Sequence, residues 1–212
     1  MDDLKQLFDG IVEGNAKLVR SITEGEIAKG TDPNVLLNGH MIPAMNEVGK
    51  RFEAGDYFVP ELLMSARAMK GALELLRPLL ASKGTQPVGR VAIGTVKGDL
   101  HDIGKNLVAA MLEGGGFEVI DLGVDVPPEK FLDAIRQHHV GIVAMSALLT
   151  TTMGSMKVVV DSLRTAGVRP QVKVMIGGAP ITQQYAEEIG ADGYSDNASG
   201  AVTLARKLLG TT

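Results

Sequence analysis

Arg90-Val91-Ala92-Ile93-Gly94-Thr95-Val96, followed at once by Lys97-Gly98-Asp99-Leu100-His101-Asp102-Ile103-Gly104, is the stretch on which the fold turns. An apolar run entering a polar, glycine-bearing loop and then a helical period reads as strand, loop and helix. The same alternation repeats downstream. Residues 117–121, 140–145, 172–176 and the short pair Gly193-Tyr194 read as further strands, and residues 103–113, 128–138, 153–165, 182–189 and 198–209 as helices. Strict β/α alternation predicts an α/β domain built on a doubly wound, parallel, five-stranded sheet. Ligands of such sheets bind beyond the carboxyl ends of the strands, which is where the His101 loop falls.

Upstream of residue 82 the period is different. Apolar residues recur at helical spacing with almost no β-branched alternation, so this half reads as a bundle of about four helices. A turn over residues 10–15 precedes a helix over 16–29, which Gly30 closes. Asp32-Pro33 opens the next helix as N-cap and first-turn proline. That helix runs through Leu36, Met41, Met45 and Val48 to Phe52, with a kink expected at Pro43. Residues 53–57 read as a turn, and Val59-Pro60 starts a long helix carrying Leu62, Leu63, Met69, Leu73 and Leu80. The small, polar stretch Ser82-Lys83-Gly84-Thr85-Gln86-Pro87-Val88-Gly89 reads as a linker. The expected organisation is a helical domain over 1–82, a linker over 83–89 and the sheet domain over 90–212.

Composition narrows the function. The chain has 212 residues, 45% hydrophobic and 22% charged, which suits a globular protein with a substantial core. A net charge of -4 supplies no basic field for phosphates, so neither nucleic acid nor an anionic membrane is the expected partner. The absence of cysteine excludes disulfides, zinc–thiolate sites, iron–sulfur clusters and a thiol nucleophile together. Any metal must be held by histidine or oxygen. The start Met1-Asp2-Asp3-Leu4-Lys5 lacks a leader pattern and no long apolar run occurs, so a cytoplasmic location is expected.

Three strand-end loops carry candidate chemistry. His101 stands between Asp99 and Asp102, with Asp99 two residues upstream and placed to accept a hydrogen bond from one ring nitrogen while the other meets a ligand. The alternative is that Asp99 or Asp102 caps the following helix and His101 is a polar loop residue. Ser146-Ala147-Leu148-Leu149-Thr150-Thr151-Thr152 puts a row of hydroxyls where a receiver domain would have its phosphoacceptor aspartate; these hydroxyls could equally cap a helix. Gly177-Gly178-Ala179-Pro180 and Tyr194-Ser195-Asp196-Asn197-Ala198-Ser199 are small enough to leave a slot for an elongated group, or to make tight turns.

Taken together these loops resemble the cobalamin-binding domain family, whose signature is Asp-x-His-x-x-Gly, then Ser-x-Leu, then Gly-Gly at successive strand ends. Here they are Asp99, His101 and Gly104; Ser146 and Leu148; Gly177 and Gly178, separated by gaps of 41 and 28 residues that match the family's spacing. The first eighty residues resemble the helical cap of methionine synthase and of corrinoid methyl-carrier proteins, so the resemblance spans nearly the whole chain. It implies a helical cap followed by a Rossmann/flavodoxin-like domain. It also implies cobalamin as cofactor, in its methylcobalamin and cob(I)alamin forms, with His101 as the ligand of cobalt.

By the same resemblance Asp99 is the hydrogen-bond partner of His101 and Thr152 the outer member of a relay, where methionine synthase has serine. Ser146 and Thr150 touch the buried lower base, and Leu148, with Gly98, Leu100, Asp102, Ile103 and Gly104 of the first loop, completes the cofactor-binding set there. Gly177, Gly178, Ala179, Tyr194, Asn197 and Ala198 line the slot for the nucleotide tail. Asn38, Phe52 and Val59 correspond to cap residues over the upper face, Val59 being smaller than the usual leucine.

The implied activity is methyl transfer: a substrate-specific methyltransferase loads the cofactor, and a second methyltransferase, dependent on tetrahydrofolate or coenzyme M, unloads it. A reductive activator would keep cobalt competent, and residues 82–89 would be the hinge that lets partners reach it. The chain would be a carrier subunit and not an enzyme by itself. Methanol, methylamines, betaine and aromatic methyl ethers are all admissible methyl donors. A radical mutase subunit would share the signature yet lack this cap, and a cobalamin-based sensor would carry an output segment such as a basic helix. A plain flavodoxin-like binding module leaves His101 and the cap without a reason.

Overall fold

The computed structural model describes residues 3–211. Met1, Asp2 and Thr212, which begin and end the expected domains, lie outside the described residues. The chain divides into two compact units, one of Met1–Pro87 with Glu113–Gly116, the other of Val88–Leu112 with Phe117–Thr212.

The first unit is helical: α1 (Asp3–Val12), α2 (Ala16–Ala28), α3 (Pro33–Leu36), a π-helical turn (Leu37–Met41), α4 (Ile42–Glu53) and α5 (Val59–Ser82). Its apolar period is satisfied by a core in which Leu7, Ile11, Leu36, Met41, Leu62, Met69 and Leu76 are fully buried. Two sequence expectations are corrected. The turn expected from residue 10 begins only after Val12, because Gly10 is a packing residue inside α1: a Cβ there would stand 3.0 Å from Val19 Cγ2 of α2. The kink expected at Pro43 is instead a π-helical turn one residue upstream of α4. Proline has no amide to continue the helical ladder, and the chain widens before it so that Ile42 N donates to the carbonyl of Leu37. The Asp-Pro start holds, Asp32 Oδ1 accepting from Asn34 N at 2.9 Å. Asn38 and Val59 are exposed and Phe52 is half-buried.

The second unit alternates β1 (Arg90–Thr95), α6 (Ile103–Gly114), β2 (Glu118–Asp121), α7 (Pro128–His138), β3 (Ile142–Ser146), α8 (Gly154–Thr165), β4 (Lys173–Gly177), α9 (Gln183–Ile189), β5 (Gly193–Tyr194) and α10 (Ala198–Leu209). The five strands lie in the order β2-β1-β3-β4-β5 and every pairing is parallel, the doubly wound topology expected. The apolar runs of β1, β3 and β4 are buried between helices, with Phe131, Ile142 and Met156 fully enclosed. β3 and β4 start later than expected and reach one residue farther, to Ser146 and Gly177. Register explains the extension: Thr95 pairs with Ser146, and Ser146 with Gly177, so the carboxyl ends of β1, β3 and β4 finish in one row. Phe117 is not in β2 as expected, because its amide closes the end of α6 on the carbonyl of Leu112.

Between β1 and β3 the strand order reverses. A crevice opens at such a switch point, and the β1–α6 loop and the segment after β3 form its two lips. Among the described residues no helix is long and apolar enough to cross a membrane.

Candidate functional site

Asp99 is the centre of the crevice. It is fully buried, and both carboxylate oxygens are occupied. Oδ1 accepts from the amide of its own loop at His101, 3.0 Å, and lies 2.7 Å from Nδ1 of the His101 ring. Oδ2 accepts from the amide of Leu148 at 2.8 Å and from the Thr152 hydroxyl at 2.7 Å, with the Leu149 amide at 3.4 Å. The Thr152 hydroxyl also lies 2.9 Å from the carbonyl of Leu149, but that carbonyl already receives two amides, so the single hydroxyl proton goes to the carboxylate. One aspartate thus joins the β1–α6 loop to the β3–α8 segment.

Burial alone would raise the pKa of Asp99. The hydrogen bonds from Thr152, from the amides of Leu148 and His101 and from the His101 ring outweigh it, and hold the carboxyl well below the usual carboxylate range. The group therefore stays ionised at neutral pH. An ionised acceptor keeps a hydrogen on Nδ1, and Nε2 has no protein partner among the described residues. The His101 side chain is 51% exposed while Asp99 is 0% exposed, so the ring is anchored at one nitrogen and presented at the other.

The helix-capping alternative for these loops fails at Asp99 and at Thr152, whose polar atoms face each other and cap neither α6 nor α8. It holds at Asn197, whose Oδ1 accepts from Gly200 N at 2.7 Å and starts α10. Asp102 takes no part in the His101 network; its carboxylate accepts from the Asn106 side chain at 3.1 Å. Ser146 closes β3, half-buried, and Thr150 is exposed beyond it. Gly98 turns the β1–α6 loop with φ 87.

Large apolar side chains are exposed in the two loops that hold His101 and meet Asp99. Leu100 and Ile103 are 71% and 81% exposed, Leu148 and Leu149 43% and 42%. Gly104 leaves open space beside them, since a Cβ added there meets nothing within 4 Å. Large exposed apolar side chains grouped around one presented nitrogen mark a ligand face. At the ends of β4 and β5, Gly177 and Gly178 let backbone segments approach closely: a Cβ on Gly177 would stand 3.0 Å from the carbonyl of Ser195, and one on Gly178 only 1.9 Å from the carbonyl of Ala147. Ala198 is buried at the start of α10, while Ala179 is exposed and Tyr194 half-buried.

This donor set fits cobalamin. Among the described residues no group of three or more His, Asp and Glu side chains gathers to hold an ion. A metal at His101 must bring its remaining ligands with it, as a corrinoid does, and the exposed Leu100, Ile103, Leu148 and Leu149 suit a macrocycle. The backbone donors of Leu148 and Leu149 to Asp99 had no counterpart in the sequence reading, because main-chain amides leave no mark in residue identity.

The Thr152 link is testable by itself. Thr152→Val keeps the shape of the side chain but leaves a buried carboxylate oxygen with one donor fewer, so stability should fall by about 1–3 kcal/mol, whereas Thr152→Ser should stay within about 1 kcal/mol of the parent. Denaturant midpoints of the apoprotein check both.

Comparison with known proteins agrees with the geometry. Two family profiles, each described as a B12 binding domain, match residues 89–203 and residues 3–77. The trimethylamine corrinoid protein 1 of Methanosarcina acetivorans is 41% identical over 95% of this chain and 94% of its own length. The dimethylamine corrinoid protein of Methanosarcina barkeri is 41% identical over 97% of both chains. Among solved structures, a cobalamin-binding protein of Desulfitobacterium hafniense superposes with a TM-score of 0.80 at 32% identity, over 98% of this chain and 99% of its own. The methanol:cobalamin methyltransferase complex of Methanosarcina barkeri superposes with a TM-score of 0.87 at 30% identity, over 99% of this chain and 80% of that one. The chain belongs to the B12-binding corrinoid proteins, the family its motifs resemble. Its cofactor is cobalamin.

Proposed function

We propose that this chain is the methyl-carrying subunit of a corrinoid-dependent methyltransferase system, with His101 Nε2 as the protein ligand of cobalt. The observation that carries the reading is the 2.7 Å contact of His101 Nδ1 with a buried, ionised Asp99, which frees the other nitrogen on an exposed apolar face. When bound, the corrinoid supplies a metal centre able to accept a methyl group from one partner and release it to another. The protein's own part is to hold His101 in one tautomer and one orientation through Asp99 and Thr152. Leu100, Ile103, Leu148 and Leu149 would offer the corrinoid an apolar surface, and Ser146 and Thr150 would border it. Gly177, Gly178 and Ala198, at the end of β4 and the start of α10, would hold the nucleotide tail of the cofactor. The helical unit acts as the cap of the carrier, and residues 83–89 as its linker.

The likeness to trimethylamine and dimethylamine corrinoid proteins supports a methylamine as the methyl donor. The partners are then a methylamine-specific methyltransferase, a second methyltransferase that passes the methyl group to tetrahydrofolate or coenzyme M, and a reductive activator. Anaerobic incubation of the cobalamin-loaded, reduced protein with a methylamine-specific methyltransferase and isotope-labelled trimethylamine or dimethylamine tests this. Label retained on the protein-bound cofactor is the expected result. Labelling by methanol with a methanol-specific partner, and by neither amine, would overturn the assignment of donor; no labelling by any of them would overturn the carrier role.

A further inference from the structure

Asp125, in the β2–α7 loop, is an exposed residue whose backbone has a positive φ of 51°, shared among described non-glycine residues only with His139. That conformation disfavours most side chains and is tolerated best by glycine, asparagine and aspartate. An exposed residue held in it has no packing reason to be there. What it does contact is the loop that carries His101. Asp125 Oδ1 accepts from the amide of Gly98 at 2.7 Å, and the amide of Asp125 donates to the carbonyl of Asp99 at 3.0 Å. The two bonds grip the chain immediately before and at Asp99, and the left-handed backbone is what lets one residue make both.

The rest of the loop is tied elsewhere. The Thr95 hydroxyl donates to the carbonyl of His101 at 2.8 Å, and the Ser155 hydroxyl to the carbonyl of Lys97 at 3.0 Å. The first tie comes from β1 itself and the second from the α8 side. The β2–α7 connection also pairs with the end of β1, Thr95 N donating to Gly123 O and Val126 N to Thr95 O, and Asp125 extends that pairing onto Gly98 and Asp99.

We propose that Asp125 is a positioning residue for cobalt ligation: by fixing the Gly98–Asp99 backbone it sets the direction in which Asp99 presents its carboxylate, and through it the direction of the His101 ring. The inference rests on the reading of His101 as the cobalt ligand. It predicts that ligation, more than folding, depends on Asp125, because the side chain lies outside the core.

Three variants test it, each reconstituted with cobalamin. Asp125→Asn keeps a side-chain oxygen for Gly98 and a residue tolerant of positive φ, so the spectrum should match the parent's. Asp125→Gly relieves the backbone cost but loses the acceptor: the apoprotein should melt at or above the parent's temperature, while the ratio of histidine-ligated to unligated cofactor, read from the absorption spectrum, falls about tenfold. Asp125→Ala should lose ligation at least as far, and stability with it. Parental ligation in Asp125→Gly, or ligation lost equally in Asp125→Asn, would overturn the proposal. His101→Ala is run beside them: if its spectrum equals the parent's, the ligand assignment itself has failed, whereas a changed His101→Ala spectrum beside an unchanged Asp125→Gly spectrum removes only the role of Asp125.

Discussion

His101→Ala should fold as the parent does and bind cobalamin poorly. The ring is half exposed and leaves no cavity when removed, so the thermal transition of the apoprotein should move little. Cofactor affinity should drop by at least about tenfold, the scale at which lost ligand support weakens metal binding. The absorption spectrum of whatever cofactor remains should be that of a corrinoid without protein nitrogen on its metal. Removing Asp99 instead should damage both properties. Asp99→Ala strands the amide of Leu148 and the hydroxyl of Thr152 in the crevice, and it frees the ring to turn and to change tautomer. Equilibrium titration of apoprotein with cobalamin, with spectra recorded alongside, separates the two variants. Equal affinity and equal spectra for His101→Ala and the parent would remove His101 from the metal.

Gly178→Ala should be the most disruptive single methyl group in the chain. Its backbone stands at φ 129, where residues with a Cβ rarely go, and the added carbon would stand 1.9 Å from the carbonyl oxygen of Ala147. The clash is with backbone, at the junction of β3 and β4, and cannot be relieved by rotating a side chain. A loss of about 3–5 kcal/mol in the sheet unit is expected. Chemical denaturation followed by far-ultraviolet circular dichroism measures it. At Gly177 the same change meets the carbonyl of Ser195 at 3.0 Å, a contact that a few tenths of an ångström of movement relieves. Alanine there should be milder in stability and show itself in cofactor binding, because it adds a methyl group at the strand end proposed to hold the nucleotide tail. A wild-type denaturation midpoint for Gly178→Ala would mean that the two strand ends are free to part.

Much of this was legible in the sequence, for reasons that differ from place to place. The β/α alternation after residue 90 is written in periodicity, and the parallel sheet follows from it. The order of the strands, and hence the switch point beside His101, follows from chain handedness more than from any residue. Asp99 and His101 were readable because their spacing is local and their chemistry lies in side chains. Thr152 stood in a readable row of hydroxyls, yet only its contact with Asp99 separates it from a helix cap. Asn197 stood in an equally suggestive row and is a cap.

Other features could not be read. The amide of Leu148 on Asp99 comes from a backbone group, and the π-helical turn at Leu37–Met41 is a change of register that no residue type announces. Pro43 gave a signal, but proline records that a helix is disturbed and not on which side. Gly10 was misread for a related reason. A glycine that lets two helices touch has the same letter as one that ends a helix, and only the neighbour, Val19, tells them apart.

The brevity of the sheet's borders has a further consequence. At one border β5 contributes two residues, Gly193 and Tyr194, too few to template an added strand. At the other, β2 is four residues long and carries a carboxylate at each end, Glu118 and Asp121. Both borders therefore discourage strand-to-strand recruitment between copies. A protein that offers exposed leucine and isoleucine around its ligand face has an obvious route to self-association through that face, but the sheet adds no second route through its backbone.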